Sequence, residues 1–144
     1  MSDHTVYENP LNTRYASREM QENFGDEKRF RLWRKLWIAL AEAEKELGLP
    51  VTEEQIAEMK AHEGDIDFEK AAQYERQVRH DVMAHVKAFG DVAPSAMPII
   101  HLGATSCYVD CNSELMIMRD GLDILLRKLV NVMEKLKNFA LKHK

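Results

Sequence analysis

Apolar residues recur along most of the chain at intervals of three and four positions, the spacing that gathers them on one face of an α-helix. The strict alternation that is typical of a half-buried β-strand is almost absent. The pattern therefore predicts an all-α fold. We expect an N-terminal helical domain over residues 1–109 and the start of a central helix bundle over residues 110–144.

Caps and breakers divide the N-terminal domain into several helices. After an irregular leader we expect a short helix near Ser17–Phe24 and a long helix over Asp26–Leu47, which Gly48 and a following proline bring to an end. Thr52, with Gln55 three positions later, has the signature of a capping box and opens the next helix.

Further helices follow in the second half of this domain. Asp67 is expected to cap one of them, and a later apolar pattern closes at Gly90. The sequence leaves open whether the chain bends at His80, between these two points. Two prolines and Gly103 exclude a continuous helix over residues 91–109, so we expect loop or extended structure there.

The last segment carries the longest unbroken apolar pattern. About 35 residues at a rise of 1.5 Å would extend over roughly 52 Å, more than the diameter of a domain of this size. The rest of the chain cannot cover such a helix, so we expect a longer protein, burial by other subunits, or both. The apolar seam consists of Leu115, Met118, Leu122, Leu125, Leu129, Val132, Leu136 and Phe139.

The composition limits the class of function. With 45% hydrophobic residues the chain can form a core, and a net charge of −4 argues against nucleic-acid binding through a basic surface. No secretory signal or membrane span is visible, so we expect a soluble, cytoplasmic protein without a membrane partner. Cys107 and Cys111 are too few for a metal tetrad or a disulfide framework, and we expect reduced, partly buried thiols.

Two polar segments are the first candidates for a binding site. Arg14 and Tyr15 offer a guanidinium fork and a hydroxyl that suit a phosphate or carboxylate, although a surface arginine beside a packing tyrosine is the simpler explanation. If a helix begins at or just after Asp81, Arg79 and His80 lie beside its positive end, where an anion is favoured. Asp81 could cap that helix or hold His80 in one tautomer. The alternative is a solvated helix start.

The histidines of the second segment do not have the spacing of a metal site. His80 and His85 are five positions apart and diverge by about 140° on a helix, whereas zinc-binding histidine pairs on a helix are four apart. We therefore expect no metal here, and a packing or surface role for His85.

A third candidate segment runs from His101 to Ser106. Gly103 allows the backbone to approach a ligand closely, and the hydroxyls of Thr105 and Ser106 could bind carboxylate or phosphate oxygens. The alternative role of these hydroxyls is to cap the long helix, which Asp110 could also do. The segment lacks the pattern that surrounds the nucleophile of serine hydrolases.

The segments TRYAS, RHDVMAHV and HLGATSCYV, in this order and ahead of a long helix, closely resemble the adenylosuccinate lyase family of the fumarase/aspartase superfamily. The resemblance extends from Arg14 into the final helix. A segment like HLGATS is shared across the superfamily, whereas the other two point to this family in particular.

The resemblance implies a carbon–nitrogen lyase of purine and AMP biosynthesis. Such an enzyme eliminates fumarate from adenylosuccinate to give AMP, and from the succinyl-carboxamide imidazole ribotide SAICAR to give AICAR. The family uses no metal or organic cofactor. It forms homotetramers around a helical bundle, and three subunits build each active site.

The resemblance also assigns substrate contacts within this chain. Two residues bind the phosphate, three form a segment that hydrogen-bonds or polarises the substrate, and three belong to the segment that holds the succinyl part. In this order they are Arg14, Tyr15, Arg79, His80, Asp81, His101, Thr105 and Ser106. The general acid, a histidine, and the general base, a serine, are expected beyond Lys144, so we expect the chain to be inactive alone.

One position departs from the family's pattern. An aspartate often directly precedes the residue that starts the long helix, whereas here Cys111 precedes Asn112 and the acid is Asp110. This departure affects the identity of the residue that caps the helix more than it affects the implied reaction. Two alternative functions remain: a self-contained helical interaction module that pairs through the apolar seam, and another lyase of the superfamily.

Overall fold

The computed structural model describes residues 9–144. Their regular structure is one π-helical turn, Leu11–Tyr15, and six α-helices, and no strand occurs among them, so the predicted all-α fold is confirmed. No helix in this range is long and apolar enough to cross a membrane. The α-helices are α1 (Arg18–Asn23), α2 (Asp26–Glu46), α3 (Glu53–Ala61), α4 (Phe68–Val78), α5 (Asp81–Val92) and α6 (Ser106–Lys142).

The described chain forms two compact units. One consists of the described residues up to Gly25 together with Met116–Lys144, and the other is Asp26–Leu115. The division falls within α6, whose first turns belong to the second unit. The predicted domain boundary at residue 109 stays a prediction.

The unit Asp26–Leu115 has a hydrophobic core. In this unit α2 packs against α3, and α4 packs against α5. Trp37, Met59 and Phe89 are each at most 1% exposed, and burial of side chains of this size stabilises a fold by about 1.5–3 kcal/mol each. The residues after α5 complete the core with Ala93, Ala96, Ile99 and Ile100.

The other unit is held by contacts between α1 and α6. The side-chain amide of Asn23 donates a hydrogen bond to the backbone oxygen of Ile117 over 2.9 Å, and both residues are buried. Arg127 forms an ion pair with Glu19. The buried amide contact therefore ties the short helix to the long one.

Most caps agree with the sequence. The Thr52 hydroxyl accepts a hydrogen bond from the Gln55 N–H, and the Gln55 side chain accepts one from the Thr52 N–H, so the predicted capping box is present. Asp67 caps α4 through the Lys70 N–H over 2.8 Å. The helix boundaries in this region therefore follow from local side-chain chemistry.

The prediction that Gly90 closes its helix was wrong. Helix α5 continues to Val92, and Gly90 is buried inside it. A Cβ atom at Gly90 would lie 1.9 Å from the Sδ atom of Met97. Glycine is therefore used here for close packing and not for termination.

Two further expectations need correction. The leader was expected to be irregular, but Leu11–Tyr15 forms a π-helical turn in which the Ala16 N–H donates to the Leu11 oxygen over 2.6 Å. The long helix begins at Ser106 and not near Asp110. Its start is therefore directly joined to the third candidate segment.

The apolar seam of α6 is exposed in the described chain. Each of its residues from Leu115 to Phe139 is more than half exposed. Large exposed apolar patches mark surfaces that pack against other protein groups. The expectation that further helices or subunits cover the seam stays a prediction.

We predict that Thr52→Ala destabilises the chain by about 1 kcal/mol, because alanine has no hydroxyl to accept the hydrogen bond from the Gln55 N–H. Thr52→Ser keeps a hydroxyl at this position and should retain most of the stability. Urea unfolding followed by circular dichroism measures both variants. Equal stability of the alanine and serine variants would contradict the role of the box.

Candidate functional site

The chain bends sharply ahead of α5. Arg79 has left-handed backbone angles of φ 52° and ψ 41°, and His80 is extended, so α4 ends and α5 begins at Asp81. The chain therefore does bend at His80, which the sequence left open. A left-handed residue other than glycine costs about 1–2 kcal/mol, and such strain clusters at functional sites. The bend leaves Arg79 and His80 exposed at the N-terminal end of α5.

His80, and not Asp81, is the N-cap of α5. Its Nδ1 atom accepts a hydrogen bond from the Met83 N–H over 3.4 Å. A carboxylate oxygen of Asp81 lies 3.5 Å from the same Nδ1 atom and accepts a bond from the Val82 N–H over 2.8 Å. Because Nδ1 is an acceptor in this geometry, the proton of a neutral imidazole lies on Nε2, which is then able to donate to a ligand.

Two tryptophans of α2 position the third candidate segment. The indole N–H of Trp37 donates to the Nδ1 atom of His101 over 2.9 Å, and that of Trp33 donates to the Ser113 hydroxyl over 3.1 Å. The first contact fixes the loop and the second fixes the start of α6. His101 is held with a left-handed φ of 67°. The residue that opens the loop is therefore anchored to the core through its side chain.

His101 is favoured in its neutral form. Partial burial lowers its pKa, and the electrostatic effect of His80 lowers that pKa further. With Nδ1 accepting from Trp37, the proton of the neutral ring lies on Nε2. The charge of one predicted site residue, His80, thus acts on another, His101.

The hydroxyls of Thr105 and Ser106 stand at the N-terminal end of α6. Within residues 9–144 neither hydroxyl forms a hydrogen bond to another protein group. Asp110 lies inside the helix and cannot cap it. The capping alternative is therefore not realised, and both hydroxyls remain available beside helix N–H groups that favour an anion.

A cavity of about 300 Å³ lies beside Asp81. Burial raises the pKa of Asp110, and the charges of Asp81 and Glu114 raise that pKa further, while Arg29 and His80 oppose them. The sequence pattern indicates Asp110 only as a possible helix cap and does not distinguish Arg29 from other surface cations. Asp110 and Arg29 line the same cavity because of tertiary packing, which local sequence patterns do not report. The cavity is lined by Arg29, Phe30, Trp33, Asp81, Asp110, Ser113 and Glu114.

Arg14 and Tyr15 belong to the other unit. Both are exposed and lie on the π-helical turn, where the guanidinium carbon of Arg14 is 5.9 Å from the centroid of the Tyr15 ring. Short π-helical turns occur frequently at functional sites. The arrangement leaves the polar atoms of both side chains accessible to a ligand.

His85 is a packing residue, which is one of the two roles expected from the sequence; the other was a surface position. It is buried, and its ring stacks on Phe30 with centroids 3.8 Å apart and meets Trp33 edge-on. Burial lowers the pKa of His85 to about 4, and the nearby charge of Arg34 lowers it as well. The imidazole is therefore neutral at physiological pH.

The cysteines differ from expectation in one respect. Cys107 and Cys111 are free thiols, but both are exposed where partial burial was expected, because they lie on the outer side of the first turns of α6. The proximity of Cys107 and partial desolvation raise the pKa of Cys111. Over residues 9–144, no group of three or more His, Cys, Asp or Glu side chains could hold a metal ion.

Comparison with known proteins agrees with the resemblance carried by the three motifs. Over its full length the chain is 52% identical to the adenylosuccinate lyases of Schistosoma mansoni and Saccharomyces cerevisiae, and 48% identical to that of Schizosaccharomyces pombe. It spans 30% of the length of each of these relatives. No family model matches the chain. The chain is thus similar to carbon–nitrogen lyases. The particular enzyme that it resembles is adenylosuccinate lyase.

We predict that His85 makes the fold sensitive to acid. The folded pKa is about 4 and the ordinary value is 6.5, so below pH 6.5 the unfolded chain binds a proton that the folded chain excludes. Stability is therefore lost as the pH falls from 6.5 to 4, by about 2–3 kcal/mol from this group. His85→Phe should lose this part of the pH dependence. Urea unfolding at several pH values measures it, and equal slopes for both proteins would contradict the assignment.

Proposed function

We propose that the chain is the N-terminal part of an adenylosuccinate lyase. The complete protein would cleave adenylosuccinate to AMP and fumarate, and SAICAR to AICAR and fumarate. The observation that carries this proposal is the 52% identity over the whole chain to enzymes of that name. We further propose that it acts in the cytoplasm as a homotetramer, with the apolar seam of α6 buried in the subunit interface.

Thr105 and Ser106 would hold the succinyl part of the substrate. Both hydroxyls lack protein partners within the described residues, and they stand at the positive end of α6. A succinyl group carries two carboxylates, which accept hydrogen bonds from hydroxyl and backbone N–H donors. The proposed contact therefore matches a donor-rich segment with an acceptor-rich group.

His80 would donate a hydrogen bond to the substrate. Its Nδ1 atom is used by the Met83 N–H, which leaves the Nε2 proton for a ligand. Asp81, which accepts a hydrogen bond from the Val82 N–H, would help to hold the start of α5 and His80 in place for this contact. His101, whose Nδ1 atom is held by Trp37, would present its own Nε2 proton beside the succinyl segment.

Three other groups would complete the substrate contacts. Arg14 and Tyr15 would bind the phosphate, and both are exposed with polar atoms accessible. Arg79 is also exposed, and the backbone bend at this residue directs the chain into α5. Guanidinium groups suit phosphate because their planar N–H donors match its oxygens in pairs.

The elimination itself requires groups outside this chain. A base takes the proton from the succinyl carbon, the electron pair of that bond forms the double bond of fumarate, and the carbon–nitrogen bond breaks. An acid then supplies a proton to the departing nitrogen. By the family resemblance, the acid is a histidine and the base a serine beyond Lys144. Within this chain the proposed roles are binding and orientation.

A second function is favoured by one observation. The apolar seam of α6 is more than half exposed at every position, which suits a helical interaction module as well as an enzyme subunit. The two differ in their dependence on ligand. A module would pair through the seam without regard to AMP or phosphate, whereas the lyase requires the arginines at positions 14 and 79.

We predict that the complete protein cleaves adenylosuccinate and that the 144-residue chain does not, because the acid and base lie elsewhere. The absorbance change on cleavage measures both. Lack of cleavage by the complete protein would overturn the proposed function. Turnover by the chain alone at a rate typical of enzymes would overturn the division of roles. A different superfamily lyase would be indicated by failure of AMP to compete with the substrate.

We predict that Ser106→Ala and Thr105→Val each raise the KM of the complete protein for adenylosuccinate by about 10-fold or more, because a hydrogen bond to a charged group is lost. Asn112→Ala is the matched control, since Asn112 is exposed on the same helix and, among residues 9–144, its side chain bonds only to the Tyr108 oxygen. Steady-state kinetics measures all three. Unchanged KM values in both hydroxyl variants would contradict the proposed contact.

A further inference from the structure

Glu44 is an acid of α2 that neither the motifs nor the proposed site includes. Glu44 is 7% exposed, and its Oε2 atom is buried without a hydrogen-bond partner among the described residues. An unpartnered buried carboxylate oxygen costs free energy and is rare in folded proteins. A neighbouring donor that moves towards this carboxylate would therefore gain a hydrogen-bond acceptor.

Glu44 lies beneath the third candidate segment. A Cβ atom at Gly103 would be 3.8 Å from the Oε1 atom of Glu44, so the carboxylate lies next to the backbone of the loop. Trp37 lies seven positions earlier on the same face of α2 and holds His101. Trp37 and Glu44, on one face of α2, thus lie next to the two ends of the turn from residue 101 to residue 103.

The loop contains a donor that could reach this acceptor. The N–H groups of Leu102 and Ala104 are bonded to the oxygens of Ile99 and His101 over 3.1 and 3.3 Å. The Gly103 N–H has no bond to another group within residues 9–144. Gly103 also has a left-handed φ of 64°, which a glycine leaves and enters without steric cost. A local rotation at Gly103 is therefore open to the loop.

We propose that Glu44 is a positioning residue whose carboxylate accepts a hydrogen bond from the Gly103 N–H when a dicarboxylate ligand engages Thr105 and Ser106. The inference rests on the proposed function, because that function supplies the ligand. The bond holds the loop in its ligand-bound form. Glu44 itself does not touch the ligand.

Three variants test the proposal. Glu44→Met removes the acceptor but keeps an unbranched side chain of similar size, and Glu44→Gln keeps an acceptor oxygen. Glu46→Met is the matched control, because Glu46 is an exposed acid on the same helix. The thermal midpoint of each variant separates a structural role from a positioning role.

In the complete protein, Glu44→Met should raise KM for adenylosuccinate by about 10-fold with less change in kcat, since one hydrogen bond of the ligand-bound loop is lost. Its thermal midpoint should stay equal or rise, because an unpartnered buried carboxylate is removed. Glu44→Gln and Glu46→Met should keep KM near that of the wild type. An unchanged KM in Glu44→Met overturns the proposal, as does a loss of thermal stability in parallel with the rise in KM.

A second readout does not depend on turnover. Succinate, as a stand-in for the succinyl group, should slow amide hydrogen exchange over residues 102–106 in the wild type and in Glu44→Gln, but not in Glu44→Met. Equal protection in all three proteins, or none in the wild type, overturns the positioning role. Failure of the wild type to cleave adenylosuccinate would instead overturn the proposed function, so the two failures are distinguishable.

Discussion

Two indole hydrogen bonds from one face of α2 determine where the candidate site stands. Trp33 and Trp37 are one helical turn apart and buried, and their N–H groups need partners because an unbonded buried donor is costly. The Trp33 N–H bonds to Ser113 in the first turns of α6, and the Trp37 N–H bonds to His101 at the start of the loop. The hydrophobic core and the polar segment are therefore positioned by the same two side chains.

This constraint explains why irregular backbone is tolerated beside the core. His101 and Gly103 both have left-handed angles, and Arg79 has a third at the break before α5. Each of them belongs to the polar residues that the proposed function uses or lies within two positions of one. The regular helices are stabilised by burial and caps. Among the described residues, the left-handed angles that are not at glycine belong to Arg79 and His101, at the two junctions that present His80, Thr105 and Ser106.

Local chemistry made much of the fold predictable. The capping box at Thr52, the cap at Asp67 and the apolar spacing of α2 and α6 are properties of short segments, and the structure contains them all. Gly90 was misread because a glycine for helix termination and a glycine for close packing look alike in sequence, and only its contact with Met97 distinguishes them. The cavity beside Asp81 and the buried acid Glu44 depend on distant parts of the chain meeting, which spacing alone does not report.

The central claim is that the segments at residues 79–81 and 101–106 bind one substrate. A crystal structure of the complete protein with adenylosuccinate tests it most directly. We expect the succinyl carboxylates to lie within hydrogen-bonding distance of the Thr105 and Ser106 hydroxyls, and His80 to donate to the substrate through Nε2. A substrate bound elsewhere, with these hydroxyls and His80 free of it, would contradict the account.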